Sequence, residues 1–420
     1  MNLFVLNCGS SSLKYKMFSF PSGEELFGGE VQRIGSKTAE QPRIIHRKQR
    51  SENTRFVDAK SYKDALREVI KLARDESGFL PDAIAHRLVQ GGKDFPTSAV
   101  ISRNDFSALD GIADLAPVHN PPVVALIKEC DLLYPDIPQA IVLDTAFHST
   151  IPDYAATYAI PEKLRRELGI RKYGFHGISH EYVAEETARF LHIPSPELKA
   201  ISCHLGSGGA SLCAIVDGKS VDNSMGFSPL QGLVMSTRCG DLDQAVILKM
   251  LAYSEGDSGK VSNILNKRSG VLGLSGISGD IRDVINRALE TVDERARRTL
   301  DVYIWRVRKY LSSYLAVVGL PQAVIFTDTI GESIPYVREA VCLGMEYFGL
   351  RIDEWKNRNI LTYPADVSAS GSRSRIVVVK TNEEKAIARK AYMLITGDLP
   401  QSNTSGNRKE FDEEINCAKS

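Results

Sequence analysis

No charge of either sign dominates this sequence. Lys and Arg together number 52 and so do Asp and Glu, so nothing draws the whole chain electrostatically toward nucleic acid or a membrane surface. No apolar stretch reaches the ~20 residues of a membrane span. No Cys-x-x-Cys pair occurs among the seven cysteines, which lie scattered at 8, 130, 203, 213, 239, 342 and 417. Their odd number argues against a closed disulfide frame and their spacing against a zinc site, so reduced, mostly buried thiols in a cytoplasmic protein are expected. The first residues, Met1-Asn2-Leu3-Phe4-Val5-Leu6-Asn7, lack a basic segment and read as a β-strand, not as a secretion signal. What is present is ordinary for a globular protein: 43% hydrophobic and 25% charged residues in a chain of 420. That length suits two or three domains, each with its own core.

Strand-type runs alternate with helical ones, which makes the class α/β. Short β-rich runs fall at Phe4–Asn7, Ala140–Leu143, Ala200–Cys203, Ala323–Phe326 and Ile376–Val379. Helical periodicity appears at Tyr62–Arg74, Glu181–Phe190, Ile281–Leu315 and Ile334–Phe348. Thr381-Asn382-Glu383-Glu384 predicts a capping box, with Thr381 at N-cap and Glu384 at N3, opening a helix to about Leu394. The tail Gln401–Ser420 is polar and charged, and disorder is expected there.

One internal echo stands out. Val5-Leu6-Asn7-Cys8-Gly9-Ser10-Ser11-Ser12-Leu13-Lys14-Tyr15-Lys16 is an apolar strand, a Gly/Ser turn and an alternating second strand. Ile201-Ser202-Cys203-His204-Leu205-Gly206-Ser207-Gly208-Gly209-Ala210-Ser211-Leu212 repeats the plan about two hundred residues later. A Gly/Ser turn lets backbone N–H groups and hydroxyls approach phosphate oxygens closely. Two such hairpins suggest a duplicated architecture with a phosphate-binding turn in each half; two ordinary hairpins with flexible turns are the alternative. Neither matches a helix-opening P-loop, since Lys14 belongs to the alternating strand.

Three histidine segments follow: Ala85-His86-Arg87-Leu88-Val89-Gln90-Gly91-Gly92, Leu115-Ala116-Pro117-Val118-His119-Asn120-Pro121-Pro122 and Tyr173-Gly174-Phe175-His176-Gly177-Ile178-Ser179-His180. A lone His or Arg is commonly a structural hydrogen-bonder. Five of the eight histidines (86, 119, 148, 176, 180), however, lie in these segments or beside Asp144. The strand Ala140–Leu143 delivers Asp144 at its C-terminal end, where α/β sheets place ligand groups, although a turn-forming Asp remains an open reading. Ser236-Thr237-Arg238-Cys239-Gly240-Asp241 sets an Arg among small residues, suited to neutralising a transferring phosphoryl group. The turns around Ser275–Asp283 and Ile325–Ser333 open helices whose N-termini could face a nucleotide.

Taken in order and spacing, these residues resemble the acetate/propionate kinase family of the actin–sugar kinase–Hsp70 superfamily. The likeness runs from Phe4 to about Ala391, and its most specific pieces are Asn7–Lys14, Asp144–His148, Tyr173–Gly177 and Ser224–Leu230. It implies duplicated actin-like (ribonuclease H-like) α/β domains flanking a central cleft. Domain I would be residues 1–150 plus about 385–400, and domain II residues 151–384. It also implies a cytoplasmic homodimer joined through the second domain, acting on a small carboxylate and needing neither nucleic acid nor membrane.

By position, the resemblance places Mg²⁺ (or Mn²⁺) at Asn7 and Glu383. Arg87 and Arg238 would flank the carboxylate and the phosphoryl group, which His176 stabilises with His119 nearby, while Asp144 positions metal or substrate. Val89, Val118, Phe175 and Pro229 would form the acyl pocket. ATP or ADP would be held by Ser10, Ser12 and Lys14 of the first turn and by His204, Leu205, Gly206, Ser207, Gly208 and Gly209 of the second. Asp280, Ile281 and Arg282, and then Thr329, Ile330, Gly331, Glu332 and Ser333, would complete that binding. The activity implied is reversible transfer between ATP and acetate. Alternatives are pyrophosphate or phosphate in place of the nucleotide, propionate as the acid, or a non-catalytic regulatory homologue.

The chain departs from the family pattern at four places. Gln90 replaces the usual His, and the second turn has Ser207 for Asn with one extra residue. Ser236 replaces a Gly, and Asp328-Thr329 replace two glycines of Gly-Gly-Ile-Gly-Glu-Asn. Side-chain bulk and an acid at the last place are expected to weaken nucleotide binding.

Overall fold

Leu3, Phe4, Val5 and Leu6 are all buried, as a non-alternating apolar run must be when both faces of its strand are covered. They form the centre of β1 (Asn2–Cys8), the middle strand of the first of two compact units. The computed structural model describes residues 1–9, 11–35, 41–49, 51–78, 80–116 and 119–398. Ser10, Val118 and the tail 401–420, all singled out above, lie outside the described residues. Unit 1 comprises Met1–Leu143 with the chain from Glu384 onward, and unit 2 comprises Asp144–Glu383.

In unit 1, β2 (Ser12–Ser19), β3 (Glu24–Gln32), β4 (Arg43–Lys48) and β5 (Ser51–Phe56) follow as an antiparallel meander. Then come β6 (Ala83–Leu88), β7 (Ala99–Ile101) and β8 (Gln139–Leu143). The sheet order is β5-β4-β3-β2-β1-β6-β8-β7, with β6 parallel to β1 and β8 parallel to β6. Unit 2 contributes β9 (Ala200–Leu205), β10 (Ala210–Val216), β11 (Lys219–Asn223), β12 (Ala323–Thr327), β13 (Ala365–Asp366) and β14 (Arg375–Val378). Its order is β11-β10-β9-β12-β14-β13, with β12 parallel to β9 and β14 parallel to β12. Both sheets therefore contain three antiparallel strands followed by two parallel ones in the same spatial order, which is the duplication that the Gly/Ser echo implied.

The two hairpin turns match in detail. Cys8 pairs with Leu13 and Leu205 with Ala210, leaving four residues in each turn. Each is closed by the same bond: Gly9 N–H to the Ser12 carbonyl at 2.8 Å, and Gly206 N–H to the Gly209 carbonyl at 3.0 Å.

Helices cover the sheets where their apolar stripes demand it. The helix Tyr62–Ser77 starts from a capping box of Ser61 and Asp64 and stops at Gly78, whose φ of 64° is left-handed. In unit 2 the helix Gly177–Phe190 lays Val183, Ala184 and Ala188 on Ala200, Cys213, Ile215, Ala323, Ile325 and Val377 of the sheet.

Three expectations need correction. The helical run Ile281–Leu315 is two helices, Ile281–Glu290 and Glu294–Val318, because Asp293 leaves helical geometry and its carboxylate caps Ala296 N–H at 2.9 Å. The run Ile334–Phe348 is broken in two: an α-helix over Pro335–Cys342 and a 3-10 turn over Glu346–Phe348, with Gly344 at φ 72° between them. The last helix spans Glu383–Thr396, so Thr381 precedes the cap position and makes no box. Its N–H goes to Glu332 Oε1 at 2.8 Å and its hydroxyl meets Ser179 Oγ at 3.0 Å.

Candidate active site

In unit 2, Asp144 is buried and its carbonyl accepts the Gly177 N–H at 2.8 Å. Only glycine allows this approach, since a Cβ at 177 would lie 2.3 Å from that oxygen. His176 immediately precedes it with φ 60°, a left-handed conformation at the head of the helix Gly177–Phe190. Its Nδ1 meets Ser211 Oγ at 2.9 Å. The backbone at Asp144 is thus tied by one long-range hydrogen bond to the residue that follows His176.

The second glycine turn lies against the same imidazole. A Cβ on Gly209 would lie 3.3 Å from His176 Cε1 and Nε2 and 3.4 Å from Arg238 Nη1. His176, Arg238 and the turn Gly206–Gly209 therefore converge within unit 2. Arg238 is half-buried, and among the described residues no carboxylate pairs with it; its guanidinium reaches Met235 Sδ at 3.8 Å. Burial accordingly pulls its pKa below the usual arginine value. An uncompensated cation beside an imidazole and a glycine-lined turn is an anion site in waiting.

His204, at the end of β9, is buried and its ring centroid lies 4.3 Å from that of His176. Ser179 Oγ meets its Nδ1 at 2.9 Å and Asp328 Oδ2 its Nε2 at 3.0 Å. Burial pushes the Asp328 carboxyl up, but the His204 pair and the bonds from Thr329 outweigh it and hold the group well below the usual carboxylate range. Ser211 and Ser179, which link these histidines, carried no assigned role in the sequence. The signal that could have found them is a lone polar residue near the start of the buried strand Ala210–Val216 for Ser211, and a position one helical turn after His176 for Ser179.

Other assigned groups are placed as follows. Asp280 caps Arg282 N–H at 2.9 Å and pairs with the Arg282 guanidinium, and Ile281 between them is buried. Ile330 and Gly331 are buried, Thr329 and Ser333 exposed, and Glu332 Oε1 accepts Asp328 N–H at 2.9 Å. Phe175 is buried and Pro229 half-buried, in segments tied together by Tyr173 and Gly174 N–H donating to the Gly226 carbonyl at 3.0 and 3.2 Å. Leu205 is buried; Ser207 and Gly208 are exposed.

In unit 1, Arg87 Nη1 donates to Asn7 Oδ1 at 3.2 Å, and Asn7 Nδ2 donates to Glu384 Oε1 at 3.1 Å. Val89 is buried beside them in sequence, and Gln90 folds back so that its Oε1 accepts Gly92 N–H at 3.1 Å. His119 is half-buried at the head of the helix Asn120–Leu133. Ser12 is half-buried and Lys14 exposed.

The sequence profile of the acetokinase family matches residues 2–389. The chain belongs to the acetokinase family. It is 43% identical to the acetate kinase of Acetivibrio thermocellus, over 94% of this chain and 99% of that protein. It is 44% identical to that of Natranaerobius thermophilus, over 94% and 100%. Among solved structures, the acetate kinase of Porphyromonas gingivalis superposes with a TM-score of 0.87 at 33% identity, over 94% of this chain and 100% of that one. A propionate kinase from Francisella tularensis gives 0.86 at 35%, over 94% and 99%.

The divalent cation expected in an acetokinase has suitable oxygen donors here. Asn7 offers an amide oxygen, and the carboxylate that reaches its side chain is Glu384, while Glu383, assigned by resemblance, belongs to unit 2. Among the described residues no cluster of three acidic, His or Cys ligands forms. A hard cation that keeps its waters and leans on substrate phosphates needs no such cluster.

Three histidines of this family member are structural. His86 Nε2 bonds Gln139 at 2.7 Å, His148 bonds Ser220 Oγ at 2.8 Å and the Phe175 carbonyl at 3.0 Å, and His180 bonds Ser202 and Ser211 at 2.9 and 2.8 Å. Burial pulls His86 and His148 each down to about 4, and His180 well below its usual value, with His148 and His204 adding to it. All three stay neutral in the fold, whereas the unfolded chain protonates them below about 6.5. Their contribution is full above that pH and is lost as pH falls toward about 4. The unfolding free energy from urea titration should hold steady near neutrality and decline through this window, by up to ~1.4 kcal/mol per pH unit for each such histidine. A flat profile there would contradict the assignment.

Proposed function

We propose that the chain is an acetate kinase: it moves the terminal phosphoryl group of ATP to a carboxylate oxygen of acetate, reversibly, giving acetyl phosphate and ADP. The observation that carries this reading is the Arg238 guanidinium, without a carboxylate partner among the described residues, beside His176 and against Gly209 of the second turn. Four of the relatives with the strongest sequence likeness, at 40–43% identity, are named acetate kinases.

A carboxylate is already nucleophilic, so the reaction needs alignment and charge neutralisation and no strong general base. In this reading Arg87 of unit 1 holds the acetate carboxylate, and the apolar residues assigned to its methyl group are Val89 in that unit and, by family likeness alone, Phe175 and Pro229 in unit 2. Arg238 and His176 neutralise the phosphoryl group in transfer. Mg²⁺, which the family likeness assigns to Asn7 and Glu383 and for which Glu384 is the carboxylate beside Asn7 in unit 1, would supply charge neutralisation on the donor phosphates. Propionate as the acid is the second reading, favoured by the likeness to a propionate kinase structure.

Incubating the chain with acetate, Mg²⁺ and hydroxylamine tests the reading, with ATP, GTP or pyrophosphate offered in parallel. Acyl hydroxamate formed with ATP supports it. Product from pyrophosphate alone would move the donor, and no product from any donor would refute catalysis. A cytoplasmic setting accords with the described cysteines, all of which are free thiols.

We also propose that the active form is a homodimer joined through unit 2. The helix Gln244–Tyr253 is almost wholly apolar, yet none of its residues is buried, and Leu248 is 67% exposed. Such a face asks for a partner. Leu248→Glu should weaken self-association by about tenfold or more in analytical ultracentrifugation. An unchanged sedimentation profile would count against this face.

A further inference from the structure

Asp328 and Thr329 have a joint effect on the second glycine turn that neither residue's type discloses. Asp328 holds φ 62°, a left-handed conformation natural to glycine and rare for a side-chain-bearing residue. In that conformation its carboxylate is laid on the turn itself: a Cβ at Gly206 would meet Asp328 Oδ2 at 2.3 Å. The position is fixed from several sides. Oδ2 lies 3.0 Å from His204 Nε2, Oδ1 accepts Thr329 N–H at 2.6 Å, and Asp328 N–H donates to Glu332 Oε1 at 2.9 Å. Thr329 then reaches the turn with its hydroxyl, whose Oγ1 accepts the Ser207 N–H at 2.8 Å.

Two backbone donors of the turn are therefore already used, Ser207 N–H by Thr329 and Gly206 N–H by the Gly209 carbonyl. An anion approaching the turn also meets an ionised carboxylate, of which about a quarter is exposed. Like charges at this range, with little water between them, repel strongly, and a phosphate group depends on the amides that are no longer offered.

We propose that Asp328 and Thr329 are specificity-determining residues that partly close the second glycine turn to the polyphosphate of a nucleotide. This rests on the reading of that turn as the donor's phosphate site. The carboxylate of Asp328 supplies the repulsion and the hydroxyl of Thr329 removes an amide. The consequence is weak nucleotide binding that a shorter or neutral residue at 328 strengthens.

The test is calorimetric titration of the full chain with Mg-ADP and Mg-ATP, for the parent and for Asp328→Gly and Asp328→Asn, alongside KM for ATP and for acetate. Glycine suits the backbone at 328, so the first variant should fold at least as well as the parent. Asparagine keeps the size and an oxygen for His204 while removing the charge. Both variants should bind ADP more tightly, by about tenfold or more for Gly and by less for Asn. KM for ATP should fall in the same order while KM for acetate stays put. Unchanged or weaker nucleotide binding in both variants would overturn the proposal, as would no measurable binding to any of the three chains. If the parent forms no acyl phosphate with any donor, the kinase reading fails, while the calorimetry still decides the role of Asp328.

Discussion

Arg238→Ala should lower turnover by about a thousandfold or more while leaving the fold intact. A guanidinium that neutralises a phosphoryl group in transfer contributes roughly that factor or more, equivalent to ~4 kcal/mol of barrier. The structural side of the expectation follows from what Arg238 lacks. No carboxylate pairs with it among the described residues, and burial already disfavours its charge. Removing it breaks no ion pair and relieves a desolvated cation, so the melting temperature should hold or rise slightly. Arg238→Lys retains the charge but loses the planar fork, and most of the loss should persist. Steady-state kinetics and thermal unfolding on the same samples separate the two effects. Near-parent turnover in Arg238→Ala would remove the residue from the chemistry.

Arg338→Ala should produce the reverse pattern: a large loss of stability, reaching the donor side of the site indirectly. Arg338 is 1% exposed, the largest side chain buried to that degree among the described residues. Its Nη1 donates to the Gly331 and Glu332 carbonyls at 2.8 and 2.9 Å, its Nε to Asn357 Oδ1 at 2.6 Å, and its Nη2 to the Asn357 carbonyl at 2.9 Å. Burial pulls its pKa down to about 10, with Tyr363 and Glu339 opposing. These bonds close the C-terminal end of the short helix Asp328–Ser333, whose last carbonyls have no helical partners. Deleting the side chain strands several buried acceptors at once, at a cost of about 3–5 kcal/mol. In chemical denaturation the transition of unit 2 should shift by that amount. Lysine cannot reproduce four directed bonds, so Arg338→Lys should recover little. A loss below ~1 kcal/mol would contradict this account of the segment.

The duplication was legible because its signal is local. An apolar run, a Gly/Ser turn and an alternating strand specify a hairpin at short range, and the pairings Cys8–Leu13 and Leu205–Ala210 are what such a segment can form. The parallel strand β12 was readable as a strand, but its place beside β9 depends on contacts distant in sequence. The uninterrupted helical run Ile281–Leu315 misled because Thr291-Val292-Asp293 contains no glycine or proline. The break comes from the capping carboxylate of Asp293.

The histidines show a different kind of gap. His86, His148 and His180 sit in segments as suggestive as that of His176, and only burial separates the neutral structural rings from the half-exposed one. Asp328 was visible as a departure. That its carboxylate rests on Gly206 could be known only once β9 and β12 had been placed side by side.

Phosphorus NMR of the full chain with acetate, Mg²⁺ and ATP tests the central claim most directly. Direct phosphoryl transfer predicts the acetyl phosphate resonance rising in step with ADP, and the reverse when the two products are supplied instead. Release of pyrophosphate with an acetyl adenylate, or an unchanged ATP spectrum under conditions where the chain is folded, would contradict it.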